Sequence, residues 1–330
     1  MRFLSRRRVL LAVLAVLPLS LMFVAWRAAS WRPVIRRVST SYSIDSLVFS
    51  SDGSRVECLS HDGMWNTLSV PSLAVIRHWP LYATIAEPRL APDGSIVAQF
   101  SRTRGGVLSE VLDVVTGQPK KTFVVDNSFT SLVLGEKNKI VFQHTTRNKW
   151  QCSVRALNTN RVLYQWSNTF GLTVLPRLPA AFSPDLSLAV LWNSERTLVM
   201  HDVHTGRPIW KRMMPFPLDL QQPVPVWTGD GKKILIFCKD GTRLLLQAGT
   251  GRIFRRFAPP PHAIYLTAMS PDGATFAEAV DLSVQLRDTA SGSVCYRSPM
   301  QLLESLAFSP DGSRLAVGTS HGEVQLWRIK

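Results

Sequence analysis

Apolar residues recur along this chain in short runs, without the spacing of an amphipathic helix. Ser305-Leu306-Ala307-Phe308 leads into Ser309-Pro310-Asp311-Gly312, and Arg314-Leu315-Ala316-Val317 follows. After Ser320-His321-Gly322 comes Glu323-Val324-Gln325-Leu326-Trp327, in which polar and apolar positions alternate. Short alternating runs bounded by Pro, Asp and Gly predict strands joined by tight turns. Pro presets φ, Asp bonds the backbone that follows it, and Gly accepts positive φ.

The unit repeats. Its turn reads Ser50-Ser51-Asp52-Gly53, Ala91-Pro92-Asp93-Gly94, Ser183-Pro184-Asp185, Thr228-Gly229-Asp230-Gly231, Ser270-Pro271-Asp272-Gly273 and Ser309-Pro310-Asp311-Gly312, with a worn copy at Gly135-Glu136-Lys137-Asn138. From Asp52 onward the intervals are 41, 44, 48, 45, 42 and 39 residues. A period in this range is expected of a propeller built from four-stranded sheets. Four residues after each turn Asp (or Lys137) stand Val56, Val97, Val141, Ala189, Ile234, Phe276 and Leu315. All are apolar, as a position facing the neighbouring unit should be. A second turn signal, Asp113 to Gly117, Asp202 to Gly206 and Asp288 to Gly292, predicts a fourth strand such as Arg207 to Arg212.

The last copy ends without a fourth strand of its own. Arg32-Pro33-Val34-Ile35-Arg36-Arg37-Val38 resembles Arg207-Pro208-Ile209-Trp210-Lys211-Arg212, so residues 33–40 are expected to pair beside Glu323–Trp327. The predicted fold is all-β: a seven-bladed propeller over residues 33–330, closed by this N-terminal strand, which would remove an open edge. One transmembrane helix is expected ahead of it.

Over residues 33–330 the repeats resemble the WD40-repeat superfamily, especially its divergent bacterial members rich in Ser-Pro-Asp-Gly turns. The chain departs from that pattern in lacking a Trp-Asp dipeptide, Leu326-Trp327 being the nearest match, and in lacking the Gly-His pair before the first strand. The hydrogen-bond network of typical WD40 blades therefore does not carry over, nor does any family partner. Asp202 to Trp210 resembles the blade motif of quinoprotein-type propellers, once only.

The N-terminus has another character. Residues 1–8 are basic, residues 9–26 carry no charge, and residues 27–32 form a short linker. As a helix, 9–26 would span about 27 Å, close to the apolar thickness of a bilayer. Arg2, Arg6, Arg7 and Arg8 should keep the N-terminus cytoplasmic, placing the propeller on the extracytoplasmic side of a single-pass anchor. Ala28-Ala29-Ser30 offers cleavage before Trp31 as the alternative, and Ser5 to Leu10 resembles a twin-arginine export signal.

Charge divides the same way. The chain carries 38 Lys and Arg against 23 Asp and Glu, or +15. Residues 1–37 hold eight of the Arg and no acid, leaving 30 against 23 for the rest, or +7. The basicity thus speaks mainly of membrane topology and gives little reason to expect nucleic acid. Cys58, Cys152, Cys238 and Cys295 lie in different repeats without CxxC spacing and read as small core residues.

The sequence advertises no catalytic, metal or cofactor residues. His201-Asp202-Val203-His204 has the look of a ligand pair, but Asp202 is the recurrent turn residue. The stronger candidate is a surface at the end of the sheets opposite the Ser-Pro-Asp-Gly turns. Second-to-third-strand turns bring Arg102, Arg104, Arg147, Lys149, Trp150, Arg196 and His321 there; fourth-to-first connections bring Trp79, Tyr82, Phe170, Phe216 and His262. Aromatic groups beside basic ones suit recognition of a protein partner. The expected function is a non-enzymatic, membrane-anchored scaffold, monomeric and without a cofactor; TolB-type envelope propellers are a special case of it. The alternative is a quinoprotein- or lactonase-like propeller enzyme with a site in its central channel.

Overall fold

The computed structural model describes residues 33–38, 42–80, 89–90, 96–103, 106–113, 116–125, 129–135, 139–145, 149–156, 159–169, 180–219, 225–260, 264–298 and 301–329. These residues form strands and turns and no helix. The apolar stretch 9–26, with its flanks, lies outside them; within them no helix is long and apolar enough to cross a membrane.

Strand β1 (Val34–Arg37) comes first. Sheet 1 follows, with β2 (Ile44–Phe49), β3 (Arg55–Ser60), β4 (Met64–Ser69) and β5 (Val75–Pro80). Sheet 2 holds β6 (Arg89–Leu90), β7 (Ile96–Thr103), β8 (Gly106–Asp113) and β9 (Pro119–Val125). Sheet 3 holds β10 (Phe129–Gly135), β11 (Lys139–Thr145), β12 (Lys149–Ala156) and β13 (Val162–Thr169). Sheet 4 holds β14 (Ala180–Phe182), β15 (Leu188–Ser194), β16 (Thr197–Asp202) and β17 (Pro208–Met213). Sheet 5 holds β18 (Val226–Trp227), β19 (Lys233–Phe237), β20 (Arg243–Gln247) and β21 (Ile253–Phe257). Sheet 6 holds β22 (Ile264–Met269), β23 (Thr275–Val280), β24 (Ser283–Asp288) and β25 (Val294–Arg297). Sheet 7 holds β26 (Leu303–Phe308), β27 (Arg314–Thr319) and β28 (Glu323–Arg328), with β1 as its fourth strand. Each sheet is an antiparallel meander of four strands, an arrangement compatible with a propeller-like fold. In sheet 7, Val34 lies opposite Leu326 and Arg37 opposite Glu323.

The recurrent turn has a bonding scheme that explains its residue types. Ser50 Oγ donates to Asp52 Oδ1 (2.6 Å) and accepts from the Arg55 N–H (3.0 Å), while Asp52 Oδ1 accepts from the Ser54 N–H (3.0 Å). Ser183, Thr228, Ser270 and Ser309 repeat this with Asp185, Asp230, Asp272 and Asp311. A hydroxyl two residues before a carboxylate therefore braces the first hairpin alongside its backbone bonds, such as Ser50 N–H to the Arg55 carbonyl and Gly53 N–H to the Ser50 carbonyl. The residue after Asp takes positive φ, 69° at Gly53 and 67° at Gly312. In sheet 4 it is Leu186, at 57°, whose side chain is buried and offsets the strain with apolar contact.

The core lies between sheets. Val56, Ala189, Ile234, Phe276 and Leu315, the residues four after the turn Asp, are wholly buried. Val56 packs with Ala316, Val324 and Leu326 of sheet 7, Ile234 with Val190 and Met200 of sheet 4, and Leu315 with Ala277 and Leu286 of sheet 6. Val97 and Val141 belong to strands whose side chains are outside the description. Among first strands, β26 lies beside both β22 and β2, β22 beside β18, and β10 beside β6. The fourth strands are different: β1 and β5 are exposed almost throughout. Cys58, Cys152 and Cys238 are buried as expected, and burial raises all three thiol pKa values. Cys295 corrects the expectation: it sits exposed on β25, because an outermost strand has only one neighbour to cover it.

One ionic contact joins sheets 5 and 6. Arg243 on β20 and Glu278 on β23 are both fully buried, with Arg243 Nη2 3.1 Å from the carboxylate. Arg287 on β24 also donates to Glu278, and Arg243 Nη1 donates to the Ala258 carbonyl. Hydrogen bonds on several sides make such a buried charge tolerable.

Candidate functional site

The second-to-third-strand turns and the fourth-to-first connections meet at the end of the sheets opposite the Asp turns. Arg196 occupies the turn between β15 and β16. Its guanidinium Nη2 donates to the Pro215 carbonyl (2.7 Å), and its own carbonyl accepts from Met214 N–H (2.7 Å). Beside it, Glu195 meets Lys239 Nζ at 3.2 Å, and the Lys239 N–H donates to the Pro217 carbonyl. The β15–β16 turn, the segment 214–218 and the β19–β20 turn are thereby tied together across two sheets. Phe216, half-buried in that segment, lies 4.3 Å beneath the Arg256 guanidinium of β21. Among the described residues, Arg196 and Phe216 are thus expected site residues that the fold brings together.

The others divide. Trp79 is part of β5 rather than of a free connection; it stacks on Trp65 with ring centroids 5.9 Å apart and presses on Gly117 of sheet 2. Its half-buried ring packs against these neighbours. His321 is exposed at the β27–β28 turn. Arg102 is the penultimate residue of β7, and Lys149 and Trp150 begin β12; their backbone is described and their side chains are not. Arg104, Arg147, Tyr82, Phe170 and His262 lie outside the described residues.

The fold adds a cluster that sequence reasoning missed. Asp45 and Glu304 occupy equivalent bulges, where the pairing of β2 skips between Ile44 and Ser46 and that of β26 between Leu303 and Ser305. A bulge turns its extra residue out of the regular alternation. His61, at the β3–β4 turn, sets Nδ1 2.7 Å from Asp45 Oδ2. The Asp45 hydrogen bond and charge raise the His61 pKa. Burial, and then repulsion from Asp45, raise that of Glu304. His61 and Asp45 thus form an exposed ion pair, with the Glu304 carboxylate near enough to feel both charges. The signal was present as Ile44-Asp45-Ser46-Leu47 and Leu303-Glu304-Ser305-Leu306, seven residues before each turn Asp. Closure of the repeats would make the first and last neighbours, but the sequence does not say that these two bulge residues approach the same histidine. Among the described residues no cluster of His, Cys, Asp and Glu has the arrangement to hold a metal ion.

No protein-family model matches this chain, and no curated protein matches it in sequence.

Proposed function

We propose that this chain is a seven-bladed, WD40-like propeller, tethered to a membrane by residues 9–26, that serves as a non-enzymatic scaffold on the extracytoplasmic side. Each four-stranded sheet is a blade and β1 closes the ring. The observation that carries this reading is the seam. β1 pairs with β28 while β2, the first strand of sheet 1, lies beside β26 of sheet 7, so the two ends of the repeat array abut. Closure of this kind leaves rigid strands carrying two sets of loops at one end, a geometry suited to binding a partner without reorganisation. The ties among Glu195, Lys239, Arg196 and Pro215 support that end as a preorganised surface.

The partner surface is the loop end that includes Arg102, Arg104, Arg147, Lys149 and Arg196, and the partner is a protein carrying acidic groups. Photocrosslinking from this end in intact membranes, followed by identification of the captured chain, tests it. Replacing Arg102, Arg104, Arg147 and Lys149 together by Ala should reduce capture while leaving thermal unfolding nearly unchanged. Undiminished capture by that variant removes this end as the binding surface.

A further inference from the structure

The fourth strands share a composition that packing does not require. β1 reads Val-Ile-Arg-Arg, β5 begins Val-Ile-Arg-His, β17 reads Pro-Ile-Trp-Lys-Arg-Met and β21 Ile-Phe-Arg-Arg-Phe. With β9, β13 and β25, the seven hold ten Lys and Arg and no Asp or Glu. The other twenty-one strands hold nine acids, so the chain does not lack them. An outermost strand needs charge to discourage pairing with another edge, but either sign serves that purpose. One sign throughout points to an anionic partner. Exposed apolar side chains accompany the charge: Val34 and Ile35 on β1, Val75 and Ile76 on β5.

Three of these strands are consecutive on the outer wall. Sheet 7 abuts sheet 6 through β26 and β22, and sheet 1 through β26 and β2, so β25, β1 and β5 follow one another. They bring Arg297, Arg36, Arg37 and Arg77 to one stretch of wall, with Arg37 also meeting Glu323 at 3.0 Å. β1 is the strand nearest in sequence to the uncharged run 9–26. Residues 27–33 reach at most about 24 Å, so a bilayer holding that run lies close to this wall.

We infer that the wall formed by β25, β1 and β5 docks on an anionic lipid surface. Its arginines meet the headgroups, and Val34, Ile35, Val75 and Ile76 enter the interfacial layer. The inference rests on the membrane-tether reading above and adds how the ring lies relative to the bilayer. Clustered basic residues within a Debye length of a negatively charged leaflet are drawn to it, and the tether keeps them within reach.

Cys295, exposed on β25, provides the probe position, since Cys58, Cys152 and Cys238 are buried. The full-length chain, labelled there with a fluorophore, is reconstituted in nanodiscs of phosphatidylcholine alone or with phosphatidylglycerol added, each containing a headgroup-attached quencher. Quenching should be at least twofold greater in the anionic discs and should fall at high salt. R36E/R77E should abolish the difference, and the milder R36Q/R77Q should reduce it if the charge reversal disturbs folding. K211E/R212E on β17, in a different sheet, should leave it intact. A chain that fails to stay with the discs overturns the tether and this inference together. A chain that stays, yet is quenched equally in both lipids or unaffected by R36E/R77E, overturns the docking alone; an acidic protein occupying the wall would give that result.

Discussion

Ser305 on β26 donates its hydroxyl to the carbonyl of Ile44 on β2, 2.6 Å away and 261 residues earlier in the chain. The contact joins the last sheet to the first, and Gly318 on β27 makes room for it. A Cβ at position 318 would stand 2.3 Å from Ser305 Oγ and 2.8 Å from Ile44 Cβ, closer than such atoms approach. Gly318→Ala should therefore destabilise the fold by about 1–3 kcal/mol, as overpacking does. Gly249→Ala, where nothing lies within 4 Å, is the matched control. Chemical denaturation of both variants checks the difference, and equal midpoints would deny the tight seam.

Glu278 holds two guanidinium groups between sheets 5 and 6. Glu278→Gln keeps the volume but leaves Arg243 buried beside an uncharged amide. Removing one partner of a buried ion pair costs about 3–5 kcal/mol. Equilibrium unfolding should show that loss, whereas Glu323→Gln, which breaks the exposed pair with Arg37, should cost under about 1 kcal/mol.

The turn carboxylates set the acid limit of stability. Asp52 and Asp311 are lowered to about 2, chiefly by the hydroxyls of Ser50 and Ser309. A depressed folded-state value means that the unfolded chain takes up the proton first as pH falls. The contribution is complete above the ordinary value of 3.8 and is lost as pH drops through about 2. Thermal scans between these limits should show a falling midpoint. Ser309→Ala should raise the Asp311 midpoint toward 3.8 and so make the fall across this range smaller.

His61 behaves in the opposite sense. Its pKa is raised above 6.5 by Asp45, so the pair stabilises the fold fully below about 6.5 and loses its effect as pH rises through the raised value. In an NMR titration, Asp45→Asn should move the His61 midpoint downward. An unmoved His61 would show that the contact is absent in solution.

Thiol chemistry gives a direct reading of the strand order. Cys295 on the outermost strand of sheet 6 should react with a maleimide in the native protein. Cys58, Cys152 and Cys238 should react only after unfolding, because burial both hides them and disfavours the thiolate. More than one rapid native equivalent would mean that the sheets are misassigned.

Much of the local structure could be read before any coordinates. The hydroxyl–Pro–Asp–Gly turns, the alternation of Glu323–Trp327 and the apolar residues at Val56, Ile234 and Leu315 follow from rules of backbone geometry and burial that act over a few residues. The likeness of Val34–Arg37 to the strand at Ile209 pointed to its place beside β28. The candidate site was harder to read because its members are judged by exposure. Trp79 looks like a surface aromatic in sequence and is a packing residue against Trp65. Cys295 looks like the other cysteines and is exposed.

A repeat encodes its own turns and strands, since the bonds that form them span a handful of residues. It does not encode which other repeat lies alongside. The meeting of Asp45, His61 and Glu304, the buried Arg243–Glu278 pair and the close approach at Gly318 all arise where one sheet is laid against the next, so only the assembled chain could decide them.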